Sequence, residues 1–229
     1  MNSKILCIRP LDTTTNFLQR IGKRLASTFP GYTEFFEIEP SDGSHDVCLK
    51  KITSLSESGL LIFLGHGTNE YLQGAVARNT GNAGYQKKEF ISEHNIALLK
   101  NRKIFCLSCH SANGLGAMAC ANGARAFLGF GDLPTELNEF EGKKPIQRIV
   151  NDFKGIIQET VREGLIYGIN NNVTFSQLVS YLKLLLNRKH AEIILVHKDK
   201  RDRRALADLI LEMKTQIKVF GDPELTLLE

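Results

Sequence analysis

The stretch KIFCLSCHSANGLG, from Lys103 to Gly116, places two cysteines and a histidine in the order C-L-S-C-H. The string C-x-x-C-H has the spacing of a covalent haem attachment site, and C-x-x-C alone also occurs in dithiol redox sites and in half of a zinc site. A structural zinc needs two further ligands at similar spacing, and the chain has no second C-x-x-C and no H-x-x-x-H. The remaining interpretation is that Cys109 is a lone nucleophile and that Cys106 packs in the core.

Side-chain alternation separates these two cysteines. Cys106 lies inside the apolar run KIFCLS (103–108), which has the length of a buried strand, and Cys109 stands at its end. Because successive side chains of a strand point to opposite faces, we expect Cys106 and Cys109 on opposite sides of the sheet. A thiol enclosed in the core is inert, so the pattern favours Cys109 as the reactive residue.

A histidine between two glycines, His66, follows another apolar run, GLLIFLG (59–65). If the two runs are neighbouring strands, roughly 5 Å apart, His66 and Cys109 emerge side by side, and the imidazole can act as general base or acid for the thiol. The segment after Cys109 is predicted to be helical, and helix N-terminal amides favour a thiolate. Gly67 can present its N–H to a developing oxyanion without obstruction. Each residue alone is also typical of a turn or of core packing.

The elements that must position these residues alternate along the first part of the chain. Apolar runs predict strands at 4–9, 32–39, 59–65, 103–108 and 124–131, and helical spacing predicts helices at 13–28, 43–58, 88–101 and 114–123. Strands that are apolar on both faces and alternate with helices indicate an α/β fold, a parallel sheet covered on both sides. In such a sheet, ligands and reactive groups collect at the carboxyl ends of the strands.

The second half of the chain is predicted to be mostly helical. From about 138 to 214 we expect three or four helical pieces, followed by a closing strand at IKVF (217–220). The chain is therefore predicted to be a single domain, 1–229, a three-layer sandwich with a roughly six-stranded, mostly parallel sheet and a helical insertion at about 138–214. The glycines of segment 71–87 predict a surface loop.

Composition excludes several classes of protein. A net charge of +4 is too small to require a nucleic-acid partner, and we interpret the basic run at 197–204 as a solvated helix start.

The apolar stretch before Arg9 is too short for a signal peptide, and no run reaches the length of a membrane span, so we expect a cytoplasmic protein. Five cysteines in a reducing compartment do not predict a disulfide framework, and haem attachment is disfavoured there. The G-x-G of GLGAMA lacks the third glycine of a dinucleotide site.

Four blocks of the sequence resemble a known family. LLIFLGHGTNEYLQG followed by KIFCLSCHSANGLG is similar to the two catalytic blocks of the caspase-like cysteine peptidases, the clan that includes caspases, gingipains, separase and legumain. The resemblance is greatest to the CHAT branch, and ARAFLGFGD and VFGDPELTL resemble its next strand and its G-D-P-x-L ending. The interval from His66 to Cys109 is close to the roughly 50 residues seen in caspases. The chain departs from the branch at His110, where many relatives have an acidic residue, and it contains no tryptophan.

The resemblance implies a caspase-like fold and a cysteine endopeptidase that cleaves a protein or peptide substrate. Cys109 takes the nucleophile position, His66 the general acid–base position, and the backbone amides of Gly67 and Cys109 the oxyanion site. Asn69, Glu70 or a backbone carbonyl is expected to orient the imidazole. No metal and no cofactor are implied.

The same resemblance suggests a substrate pocket after the fifth strand. Asp132, in GFGDLPTE, stands in a position similar to the acidic residue with which basic-specific relatives hold Arg or Lys, and a carboxylate can pair with a guanidinium through charge-assisted hydrogen bonds. The alternative is that Asp132 caps a turn before Pro134. Glu136 is a weaker substitute for the same role. Ser111 takes the small-hydroxyl position of the catalytic block and is also expected to contact the substrate.

Prokaryotic relatives often belong to defence or regulated-proteolysis systems, and they are commonly inactive until a partner or a signal rearranges their loops. This chain has no recognisable sensor repeats, so an activator is expected to be a separate protein. No membrane and no nucleic acid are expected as partners. The alternative function is a catalytically idle binding module that keeps the fold and acts through a protein partner.

Overall fold

A six-stranded sheet forms the centre of the computed structural model, which describes residues 4–77, 84–139, 147–195 and 203–228. The strands are β1 (Ile5–Pro10), β2 (Thr33–Ile38), β3 (Leu60–Leu64), β4 (Lys103–Leu107), β5 (Ala126–Gly129) and β6 (Lys218–Gly221). Their order is β2-β1-β3-β4-β5-β6; the first five are parallel, and β6 pairs with β5 in the antiparallel sense. This confirms the predicted α/β class with a mostly parallel sheet.

Helices cover both faces of this sheet. They are α1 (Gln19–Thr28), α2 (Asp42–Ser54), α3 (Leu115–Ala121), α4 (Gln147–Asn170), α5 (Phe175–Leu195) and α6 (Arg203–Thr215), with 3-10 turns at Thr13–Leu18, Ile96–Leu99 and Leu137–Glu139. In β1, Ile5 and Cys7 pack in one apolar cluster with α1, α4, α5 and α6, while Leu6 and Ile8 pack in the other with α2 and α3. Burial on both faces explains why the strands are continuous apolar runs in the sequence.

The second half of the chain matches its prediction closely. In the part of this half that the structure describes, three helices, α4 to α6, precede β6, which is the predicted closing strand. The first six residues of the basic run, 197–202, and residues 78–83 of the predicted surface loop lie outside the described residues. None of the helices in the described ranges combines the length and the apolarity that a membrane span needs.

The helix predicted at 88–101 is wrong, because only the 3-10 turn at Ile96–Leu99 forms there. The side chain of Asn95 accepts a hydrogen bond from the Ser92 N–H at 2.9 Å and donates one to the Phe90 carbonyl at 2.9 Å. Ile91 pairs with Leu72 in an isolated antiparallel bridge. These local side-chain bonds and the bridge take up backbone groups that a helix would need.

Ser111 joins the ends of β4 and β5, which corrects the expectation that it binds substrate. Its side chain is fully buried, and its Oγ donates to the Ser108 carbonyl at 2.9 Å and accepts from the Phe130 N–H at 3.1 Å. A Cβ added at Gly129 would lie 2.9 Å from the Ala112 nitrogen, so glycine lets the two strand ends approach. The hydroxyl thus holds together the turns that carry the candidate site.

We expect Ser111→Ala to lower the free energy of unfolding by about 1–3 kcal/mol, because it leaves the buried Phe130 N–H unpaired. Urea unfolding measures the change. Ser27, whose hydroxyl bonds to the Arg24 carbonyl at the exposed end of α1, is the control, and Ser27→Ala should change stability by no more than about 0.5 kcal/mol. Equal stabilities for the two variants would contradict this role of Ser111.

Candidate active site

His66 and Cys109 occupy equivalent positions beyond two neighbouring parallel strands. Leu64 of β3 is the register partner of Leu107 of β4, and the pairing continues through the Gly65 N–H to the Leu107 carbonyl at 3.2 Å. His66 and Cys109 each follow the Leu64–Leu107 pair by two residues, so both leave the carboxyl edge of the sheet at the same height. Both line an open cleft of about 540 Å³ and a small inner cavity of about 20 Å³. The structure therefore brings the predicted pair together.

The Cys109 thiol is covered in this structure. Its Sγ donates a hydrogen bond to the Leu133 carbonyl at 3.4 Å. Burial raises the pKa of Cys109 to about 12, and the nearby carboxylates of Glu139 and Asp132 raise it further. The predicted stabilisation of a thiolate by a helix N-terminus does not occur, because α3 begins only at Leu115, after an intervening turn.

The His66 ring is held by a hydroxyl that the sequence analysis did not single out. Its Nε2 lies 2.6 Å from Thr14 Oγ1, and the Thr14 hydroxyl and amide both donate to Asp12 Oδ1 at 2.8 Å. Among the residues that the structure describes, the hydrogen-bond partner of the ring is Thr14 rather than Asn69 or Glu70. The expectation for Asn69 and Glu70 is therefore wrong.

A positional signal could have identified Thr14 and Asp12. They stand in DTTT, directly after β1, which is the sheet neighbour of β3. The helix predicted at 13–28 begins with these threonines, and Asp12 caps the 3-10 turn that forms there by accepting a hydrogen bond from the Thr14 amide. The rule that placed His66 and Cys109 at the carboxyl edge applies equally to residues that follow β1.

Gly67 lies in the same cleft as His66 and Cys109. It lines the cleft and pairs with Leu72 in an antiparallel bridge. The bridge bonds belong to its neighbours, from Gln73 N–H to the His66 carbonyl and from Thr68 N–H to the Tyr71 carbonyl, so the pairing does not consume the Gly67 N–H. A Cβ at this position would lie 2.7 Å from Ser108 Oγ, which explains the glycine. The oxyanion role of the Gly67 and Cys109 amides stays a prediction.

Three carboxylates give the cleft an acidic wall. They belong to Asp132, Glu139 and Glu212, the last of which comes from α6. Asp132 Oδ1 lies 3.7 Å from His110 Nε2, and its amide donates to Gln216 Oε1 at 2.5 Å. The predicted substitute, Glu136, is not among the residues that line the cleft.

Glu139, rather than Glu136, brings its carboxylate to the cleft. Its Oε2 accepts hydrogen bonds from the amides of Thr135 and Glu136 at 2.6 and 2.8 Å. The turn at Leu137–Glu139 folds the chain back, so the third residue after Glu136 reaches the cleft.

Cys106 lies on the opposite face of the sheet, as alternation predicts. It is fully buried in the cluster that contains α2 and α3, whereas Cys109 packs against the other cluster. Burial raises the pKa of Cys106 to about 12. The two thiols cannot share one metal across the sheet, and no group of three or more His, Cys, Asp or Glu in the described ranges could hold an ion.

Alkylation of Cys109 by iodoacetamide should be slow at pH 7, because the thiol is protonated and covered. Its rate should rise by about tenfold per pH unit between pH 7 and 9, as thiolate accumulates below a pKa of about 12. Cys120 is half-buried, as Cys109 is, but burial raises its pKa only to about 11, so it should be modified first. Peptide mapping by mass spectrometry gives both rates in one sample, and preferential modification of Cys109 at pH 7 would contradict the covered state.

Comparison with protein-family models, with curated proteins and with solved structures finds no match for this chain. Its function is therefore inferred from the side chains of the cleft and from the sequence blocks that they occupy.

Proposed function

We propose that this protein is a caspase-like cysteine endopeptidase in which Cys109 is the nucleophile and His66 the general acid–base. The observation that carries the proposal is the placement of both residues at the same register beyond β3 and β4, where they line one cleft. A nucleophile beside a base that is itself oriented by a third group is the arrangement that activates a thiol. The mostly parallel six-stranded sheet supports the caspase-like fold.

The reaction follows from these positions. His66 removes the proton from Cys109 Sγ, and the thiolate attacks the carbonyl carbon of the scissile peptide bond. The tetrahedral oxyanion accepts a hydrogen bond from the Gly67 N–H, and the imidazolium returns its proton to the leaving amine. Water, activated by the same imidazole, then hydrolyses the thioester and releases the thiol.

The acidic wall favours a substrate with Arg or Lys before the cut. Asp132, Glu139 and Glu212 surround the cleft beside Cys109, and Asp132 faces His110 at 3.7 Å. A substrate guanidinium can replace His110 as the partner of Asp132 through charge-assisted hydrogen bonds. Removing the carboxylate would leave that cation unpaired in the cleft.

The covered thiol supports a silent resting state. The segment that carries Asp132 and Leu133 must shift to release Cys109, and Gln216 holds it through the Asp132 amide. We propose that a separate protein activator causes this shift, within a cytoplasmic prokaryotic defence or regulated-proteolysis system.

The second candidate is a catalytically idle binding module that acts through a protein partner. It is favoured by the same burial that raises the pKa of Cys109 to about 12. A thiol-reactive peptide probe separates the two functions, because an idle module would not be labelled at Cys109 under any activating condition.

Cys109→Ala and His66→Ala should each abolish cleavage, because each removes one member of the pair, and Cys106→Ala should retain most activity. The measurement is a proteome-wide search for new N-termini in cells that contain the chain and its natural partners, comparing wild type with Cys109→Ala. Circular dichroism should show that all three variants keep the fold. An inactive Cys106→Ala with an active Cys109→Ala would reverse the assignment of the nucleophile.

Probe labelling should favour Arg or Lys at the position before the electrophile, and Asp132→Ala should reduce that labelling by at least about tenfold through loss of the ion pair. Asp46→Ala is the matched control, since Asp46 is exposed on α2 and is not among the residues that line the cleft. A preference for apolar or acidic residues would rule out the acidic pocket and leave the His66–Cys109 mechanism untouched.

A further inference from the structure

The Thr14 hydroxyl connects a buried carboxylate to the imidazole of His66. Thr14 Oγ1 lies 2.8 Å from Asp12 Oδ1 and 2.6 Å from His66 Nε2. A hydroxyl has a single proton, and an ionised carboxylate can only accept, so the Thr14 proton is donated to Asp12. The hydroxyl oxygen must then accept from His66, which places the imidazole proton on Nε2.

This assignment fixes the chemistry of the other ring nitrogen. A neutral imidazole that carries its proton on Nε2 has its lone pair on Nδ1, ready to accept a proton from Cys109. When Nδ1 takes that proton, the ring becomes positively charged. The charge of Asp12, whose exposed fraction is 6%, then acts on the imidazolium through one intervening hydroxyl.

We propose that Asp12 and Thr14 are positioning residues that hold His66 in the Nε2–H tautomer and stabilise its charged form. The inference rests on the proposed role of His66 as the general base, and it extends the pair to a relay of four residues, Asp12, Thr14, His66 and Cys109.

The segment that carries the relay is anchored from three sides. Arg9 of β1, whose side chain is 1% exposed, donates to Asn16 Oδ1 at 3.3 Å and pairs with Glu37 of β2 at 2.6 Å. Gln19 donates to both oxygens of Glu37 at 3.1 Å. The side chain of Gln158, from α4, donates to the Phe17 carbonyl. These contacts restrain the 3-10 turn and with it the position of the Thr14 hydroxyl.

The test reads the tautomer directly, without need for activity. Histidine labelled with ¹⁵N is incorporated into the Cys109→Ala chain, and long-range ¹H–¹⁵N spectra distinguish Nε2–H from Nδ1–H rings. Loss of one set of signals in His66→Gln assigns His66 among the six histidines. We expect His66 to be Nε2–H in this chain and in Thr14→Ser, and to lose the preference in Thr14→Val. Thr13→Val is the matched control, because Thr13 is the exposed neighbour.

A Nδ1–H tautomer in the parent chain, or an unchanged spectrum in Thr14→Val, would overturn the relay.

A second measurement uses the chain with Cys109 intact and a substrate that the wild type cleaves. Thr14→Val should lower kcat by about 10–100-fold with KM unchanged, and Thr14→Ser should restore it to within about threefold. Asp12→Asn keeps the cap acceptor but removes the charge, so it should also lower kcat.

The two proposals fail in different ways. If Cys109 is never labelled under any activating condition but the tautomer depends on Thr14, the peptidase function fails and the relay is a structural contact only, which overturns its catalytic role. If cleavage depends on Cys109 and His66 but Thr14→Val retains the wild-type kcat, the relay alone is overturned.

Discussion

The parallel pairing of β3 with β4 is the constraint on which the site depends. Leu64 and Leu107 are register partners, and the residues that follow them carry the imidazole and the thiol. Both strands are buried on both faces, so a slip by one residue would exchange the contents of two apolar clusters. The geometry of His66 and Cys109 is therefore as firmly determined as the core itself, although both side chains lie beyond the strands.

The surroundings of Cys109 determine the protonation state of its thiol. The segment that carries Asp132 and Leu133 contacts the Cys109 thiol, and Gln216, at the end of the helical half, holds that segment through the Asp132 amide. Burial keeps the thiol protonated, and the carboxylates of Glu139 and Asp132 raise its pKa further. A change that brings a positive charge beside Asp132 and Glu139 would lower the pKa of the Cys109 thiol.

The imidazole depends on a different part of the fold. Its partner Thr14 lies after β1, and the turn that carries Thr14 is held by the buried Arg9 and by Glu37 on β2, the edge strand. Arg9 is buried and Glu37 is half-buried, so breaking this pair would leave the charge of Arg9 without compensation, and the pair holds Arg9 in place. Packing at that edge of the sheet is thereby linked to the orientation of His66. The thiol is linked instead to the helical half, so the two members of the pair are restrained by separate regions.

Local patterns in the sequence were enough to predict the strands, their parallel arrangement, the opposite faces of Cys106 and Cys109, and the proximity of His66 to Cys109, because alternation and burial act between near neighbours along the chain. Only the tertiary structure decided what surrounds that pair. The Thr14 hydroxyl reaches His66 across a sheet neighbour, the turn at Leu137–Glu139 brings Glu139 rather than Glu136 to the cleft, and the bonds of Asn95 replace a predicted helix with a single turn. The Thr14 contact joins segments that are distant in the sequence, and the spacing of residues cannot reveal it. The Glu139 turn and the Asn95 bonds are local, but they depend on the direction of individual side chains, which the spacing of residues does not fix either.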